Sequence, residues 1–71
     1  MITKLCLFIE HRYKMAERGS FFEKIDFYHQ AFGAVDFFIQ SHPTSKQRVT
    51  KLWEETYKPK FEELIYDAAI M

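Results

Sequence analysis

Seventy-one residues form at most one small domain (1–71), and ten basic against ten acidic side chains leave it without net charge. This balance excludes a whole-domain electrostatic attraction to nucleic acid or anionic lipid, although local patches stay open. Cys6 is the only cysteine, and Lys4 precedes too short an apolar run for a signal peptide or a membrane span. The prediction is therefore a cytoplasmic protein with no membrane partner.

The first segment favours a helix over residues 2–17. Its apolar residues recur at helical spacing and are Ile2, Leu5, Cys6, Ile9, Tyr13 and Ala16. A strand over 5–9 is the alternative, but the chain offers no second strand to pair with it. Arg12 falls inside the apolar face. Either its stem lies on the core with the head in solvent, or its head meets an acidic residue across an interface, for which Asp36 is one candidate.

A second helix is predicted over residues 21–40. Ser20 and Glu23 have the spacing of a capping box, in which each side chain bonds the other residue's backbone N–H. The apolar stripe consists of Phe21, Ile25, Tyr28, Phe32, Val35 and Ile39, flanked by Phe27, Ala31, Ala34 and Phe38. At about 100° per residue this arc covers roughly half of the helix, which indicates contact with two or more neighbours.

The remaining chain predicts a third helix over 45–57, followed by a fourth short helix or a kinked continuation to about 69. Thr44 and Gln47 have the spacing of a second capping box. The apolar residues are Val49, Leu52, Trp53, Thr56 and Tyr57, and then Phe61, Leu64, Ile65 and Ala68. In one straight helix these two faces point about 100° apart, and Pro59 removes a backbone hydrogen bond, so a break or kink is expected there. The fold class is an all-α, small antiparallel bundle.

No residue pattern predicts an active site, so we do not expect an enzyme. Asp26 and His29 have the three-residue spacing of di-metal helical bundles, but such sites need inward-facing carboxylates from several helices. Both residues fall on the polar side of the second helix. Cys6 falls on an apolar face, where a cysteine is typically a buried small hydrophobe. The sequence therefore predicts no catalytic residue, no cofactor and no metal site.

Basic residues near the start of the third helix favour one alternative function, a small nucleic-acid-binding regulator. Lys46, Arg48 and Lys51 would open a recognition helix. Glutamates follow closely, however, and Lys51 with Glu55 has the spacing of an ordinary helix ion pair. Nucleic acid is therefore the less favoured partner.

Aromatic content is the feature that points furthest towards function. Eight Phe, four Tyr and one Trp make up 18% of the chain, which is more aromatic surface than so small a core readily hides. Contiguous apolar patches on soluble proteins tend to be interfaces. The candidate interface residues are Phe22, Phe37, Phe27, Phe38, Phe8 and Leu7. We expect a small helical protein-interaction module that forms a homodimer, with an unknown protein partner as the variant of this hypothesis.

Overall fold

Every regular element is helical in the computed structural model of the chain, which describes residues 2–70. The elements are α1 (Ile2–Arg18), α2 (Phe21–Ser41), a 3₁₀ turn (Pro43–Ser45), α3 (Lys46–Leu52), a π-helical turn (Trp53–Tyr57) and α4 (Lys58–Ile70). The last three join into one long kinked helix, which confirms the all-α bundle with a kinked continuation. The strand alternative for 5–9 is wrong. No helix within the described range is long and apolar enough to cross a bilayer.

The connection between α1 and α2 is held by the predicted capping box. The hydroxyl of Ser20 accepts from the backbone N–H of Glu23 at 3.3 Å, and the Glu23 carboxylate accepts from the backbone N–H of Ser20 at 3.1 Å. The hydrogen bond from the Ser20 backbone N–H, with a further contribution from the Ser20 side chain, lowers the pKa of the Glu23 carboxyl. A Cβ at Gly19 would lie 2.8 Å from the Glu23 Cβ, so the turn needs glycine there. The result is a tight antiparallel hairpin of α1 and α2.

The predicted capping box of Thr44 and Gln47 is wrong. Thr44 lies inside the 3₁₀ turn, where the backbone N–H of Ser45 donates to the carbonyl of His42 at 3.0 Å. No side chain caps the start of the 3₁₀ turn or of α3. The reason is Pro43, whose fixed φ suits the first position of a helical turn, so that the turn begins before Thr44 and not after it.

Replacing Ser20 with alanine is expected to lower the free energy of unfolding by about 1 kcal/mol, because the backbone N–H of Glu23 loses its acceptor. Chemical unfolding followed by circular dichroism measures this loss. Thr44→Ala is the matched control, since that hydroxyl caps no helix, and it should stay within about 0.5 kcal/mol of the parent. Equal effects of the two substitutions would contradict the assigned role of Ser20.

The π-helical turn aligns the buried residues of the long helix. These residues recur at every fourth position of the chain and are Val49, Trp53, Tyr57 and Phe61. In an uninterrupted α-helix they would drift by about 120° around the axis. The wider π turn, in which the N–H of Lys58 donates to the carbonyl of Trp53, offsets that drift. The helix therefore kinks over Trp53–Tyr57 and continues through Pro59, whose ring would otherwise meet the carbonyl of Glu55.

The core is formed by aliphatic side chains, two alanines and a cluster of aromatic rings. Phe61 stacks on Tyr28 with ring centroids 5.8 Å apart and meets the edge of Tyr13 at 5.4 Å. Ala16 and Ala31 are fully buried, which allows α1 and α2 to approach closely. The buried arc of α2 is therefore centred on Ala31. Phe32, which the periodicity placed in the core stripe, is 53% exposed instead.

Burial raises the pKa of the Tyr57 phenol, and the adjacent Cys6 thiol adds to the effect. Burial also raises the pKa values of Tyr13 and Tyr28. A tyrosine in the unfolded chain has a pKa of about 10, so above that pH the unfolded state releases protons that the folded state keeps. These phenols therefore contribute stability that is complete below pH about 10 and is lost as the pH rises.

Replacing Tyr57 with phenylalanine should therefore flatten the alkaline dependence of stability. Above pH about 10 we expect the parent's free energy of unfolding to fall by up to about 1.4 kcal/mol more per pH unit than that of Tyr57→Phe. Unfolding curves between pH 8 and the alkaline limit (about pH 12) measure the two slopes. Identical slopes would contradict the burial of this phenol.

Candidate interaction surface

Two rows of residues form the outer side of the α1–α2 hairpin, here called the hairpin face. The α1 row is Lys4, Phe8, Arg12 and Met15, and the α2 row is Phe27, Gln30, Ala34, Phe37 and Ser41. Steps of three and four residues place each row on one side of its helix. The other sides of α1 and α2 pack on the long helix, where Tyr13 and Tyr28 contact Phe61. The hairpin face is therefore turned away from the rest of the bundle.

At its open end the hairpin face contains a groove of about 320 Å³ between the start of α1 and the end of α2. Its lining residues are Lys4, Leu5, Ala34, Phe37, Phe38, Ser41 and His42. The His42 ring stacks on the Phe38 ring with centroids 4.5 Å apart, which holds both rings against the helix end. Phe37 stands at the rim and is 71% exposed. An apolar side chain from another molecule fits such a groove.

Arg12 lies within the α1 row, between Phe8 and Met15. Its guanidinium carbon is 4.4 Å from the centroid of the Phe8 ring, and its Nη1 atom contacts Met15 Sδ at 3.9 Å and His11 Nδ1 at 3.2 Å. Its Nε atom is buried and has no hydrogen-bond partner among the residues that the structure describes. The stem of Arg12 packs against the protein, as one of the two interpretations of the sequence predicted, but its guanidinium lies on the Phe8 ring. No carboxylate within residues 2–70 bonds it.

Asp36, the acidic residue first considered as a partner for Arg12, lies on another side of α2. It lines a cleft beside α3 with Phe32 and Trp53, and its carboxylate accepts from Gln40 at 3.0 Å. That cleft belongs to the packing of α2 against the long helix. Asp36 is therefore not placed to meet an Arg12 across the hairpin face.

Charge divides the hairpin face into two halves. The α1 row carries the cations Lys4 and Arg12 and no carboxylate. On the α2 side, Asp26 borders the row and accepts from Gln30 at 2.9 Å, whereas the only cation of the helix, Lys24, donates to the carbonyl of Gly19 at 2.6 Å. One edge of the surface is therefore basic and the other is acidic.

The structure brings only part of the predicted interface set together. Phe8, Phe27, Phe37 and Phe38 lie on the hairpin face or its groove, although Phe27 and Phe38 are half-buried and also pack against the core.

Phe22 and Leu7 are separate from this group. Phe22 is 82% exposed, but it contacts Phe21 about 22 Å along the helix from Phe37. Leu7 is exposed about 100° around α1 from Phe8.

Sequence reasoning did not include Lys4, Met15 and Ala34 in the surface. The α2 row mixes aromatic, small and polar residues, so it does not stand out as an apolar stripe. Its steps of three and four residues were the available signal. Only the antiparallel neighbour α1, with its own row alongside, makes it one continuous surface.

The other residues considered for chemistry stay dispersed. Cys6 is half-buried beside Tyr57, and His29 is exposed on α2. Within residues 2–70 no three potential ligands gather into a metal-binding group. The basic start of α3 shares its clefts with Glu54 and Glu55, so cations and carboxylates alternate there.

Comparison with known proteins yields no match for this chain. No family model fits it, and no curated protein or solved structure is similar to it. Its function is therefore inferred from its own residues.

Proposed function

We propose that this chain is a small helical interaction module that forms a homodimer through the hairpin face. The observation that carries the proposal is Phe37, an aromatic side chain left 71% exposed at the rim of an apolar groove. Phe8 and Met15 extend the apolar surface along α1, and both are exposed. Contiguous apolar surface of this kind on a small protein is typical of an interface.

The two helices of the hairpin are long enough for an interface of the size that a stable dimer requires. A standard interface buries about 800 Å² on each partner, which is about 15% of the 5210 Å² accessible on this chain. The 17 residues of α1 and 21 residues of α2 are about 26 and 32 Å long, so the hairpin offers a surface of that order. Its burial at about 25 cal/mol per Å² of apolar area opposes the entropic cost of association.

The proposal assigns no catalytic step to the protein. We place the protein in the cytoplasm, since a core this small without disulfide bonds is typical of a reducing compartment. A nucleic acid would have to engage Lys46, Arg48 and Lys51. Nothing about that region favours it over self-association, because Glu54 and Glu55 line the same clefts.

Replacing Phe37 with alanine should weaken the homodimer at least tenfold, because a large aromatic side chain that becomes buried on association typically contributes more than 1.4 kcal/mol. Sedimentation equilibrium measures the dissociation constant. Phe22→Ala is the matched control: it removes a phenylalanine of the same helix that is even more exposed and lies off the hairpin face. Equal dissociation constants for the two variants would contradict the assignment of the interface.

A further inference from the structure

We infer, on the basis of the proposed homodimer, that α1 of each copy packs against α2 of the other and that Arg12 pairs with Asp26 across the interface. The arrangement makes a four-helix dimer core from two hairpins. Its two-fold symmetry generates the pair twice. The inference depends on three observations. They are the charge division of the hairpin face, the environment of Arg12, and the distances of Arg12 and Asp26 from the hairpin turn along the helix axes, here called their heights.

Charge selects between the two ways in which the hairpin face can meet its own copy. A two-fold axis perpendicular to the helices sets α1 on α1 and α2 on α2, which brings the Lys4 and Arg12 edges together and opposes the two Asp26 edges. An axis parallel to the helices sets α1 on the partner's α2. The basic edge of each copy then meets the acidic edge of the other. Like-charge contact disfavours the first arrangement and leaves the second.

The heights of Arg12 and Asp26 along the hairpin agree in that arrangement. Rotation about an axis parallel to the helices leaves each residue at its own height. Gly19 and Ser20 close the hairpin, so residues equally distant from this turn lie level, as Lys4 and Phe37 do approximately in the shared groove. Arg12 is then level with 27–28, within about 3 Å of Asp26 at 1.5 Å per residue. Both side chains are long enough to span that difference.

The environments of both side chains suit an intermolecular pair. The guanidinium carbon of Arg12 lies 4.4 Å from the centroid of the Phe8 ring, and Nη1 contacts Met15, so these contacts restrict the guanidinium before a partner arrives. It bonds no carboxylate within residues 2–70, and its Nε atom has no partner there. The amide of Gln30 donates to Oδ2 of Asp26, which orients the carboxylate and leaves Oδ1 for a guanidinium.

A charge-swap experiment tests the pair. Arg12→Glu and Asp26→Lys should each weaken their own homodimer at least tenfold, because each opposes like charges twice. An equimolar mixture of the two variants should form a heterodimer within about threefold of the parent affinity, since Glu then faces Lys and Arg faces Asp. Native mass spectrometry separates the three species by mass, and sedimentation equilibrium gives the dissociation constants.

The control variants carry the same charge changes on the same helices but off the hairpin face. They are Lys14→Glu on α1 and Asp36→Lys on α2, and neither alone nor mixed should they change the dissociation constant beyond about threefold. Circular dichroism verifies that each variant is folded. The neutral pair Arg12→Gln and Asp26→Asn replaces any charge-reversal variant that unfolds. Each should weaken its own homodimer, and their mixed heterodimer, which keeps one Arg12–Asp26 pair, should bind more tightly than either homodimer.

The outcomes separate this inference from the proposed function. If the Arg12 and Asp26 variants each lose affinity alone and regain it only when they are mixed, the result supports the arrangement in which α1 of each copy packs against α2 of the other. Two results would overturn the Arg12–Asp26 pair but still support the homodimer, provided that Phe37→Ala disrupts the parent dimer. In the first, the charge-swap variants leave the dissociation constant unchanged; in the second, they weaken the dimer and mixing them does not restore the affinity. A parent chain that stays monomeric overturns the homodimer itself.

Discussion

Replacing Phe61 with alanine should lower the free energy of unfolding by about 3–5 kcal/mol. Phe61 is 1% exposed and contacts the rings of Tyr13, Tyr28 and Trp53, so its loss leaves a cavity where α1, α2 and the long helix meet. A domain of this size has a total stability of only about 4–11 kcal/mol, so the variant loses a large share of it. Urea unfolding followed by far-ultraviolet circular dichroism measures the loss.

Phe22→Ala provides the matched control, because it removes the same ring from an exposed position. We expect it to change the stability of the monomer by no more than about 0.5 kcal/mol. A loss below about 1 kcal/mol for Phe61→Ala would contradict the central place of this ring in the core.

Inserting one alanine between Lys60 and Phe61 should destabilise the protein about as much as removing the Phe61 ring. The insertion turns Phe61 and all that follows by about 100° around the helix axis, away from Tyr13 and Tyr28. The π-helical turn cannot compensate, because it already takes up one residue more than a regular turn. The free energy of unfolding, measured in urea, should fall by about 3–5 kcal/mol.

The opposite change, deletion of Glu55 combined with Pro59→Ala, should be tolerated. Deletion lets the π-helical turn close into regular helix, in which the buried residues follow steps of four, three and four and still share one side. Alanine removes the clash that a proline ring would make in that helix. We expect a change of no more than about 1 kcal/mol. Equal damage from insertion and deletion would contradict this account of the π turn.

The sequence predicted best what depends on neighbouring residues. Ser20 and Glu23 lie three residues apart, so their capping box and the start of α2 follow from local chemistry, and the structure confirms them. The kink was also expected from the change of apolar face, but its position was not. Pro59 suggested a kink one turn too late in the chain. The buried residues Val49, Trp53, Tyr57 and Phe61 recur at every fourth position, and this spacing indicates the π-helical turn over Trp53–Tyr57.

Features set by other helices were harder to predict. Ala31 is fully buried whereas Phe32 is 53% exposed, because the way the other helices pack around α2 sets which side is buried, and periodicity within α2 does not show this. The same holds for the candidate surface. Arg12 stands out in sequence as a cation in an apolar face, but its position on Phe8 and its distance from Asp36 depend on how the hairpin folds.

The mass of the parent protein in solution, followed over concentration, tests the central claim most directly. Sedimentation equilibrium from about 1 to 100 µM covers the affinity range expected of a small interface. We predict a concentration-dependent rise from the 8.6 kDa monomer to twice that mass. A mass that stays at 8.6 kDa across the whole range would contradict a homodimer built on the hairpin face.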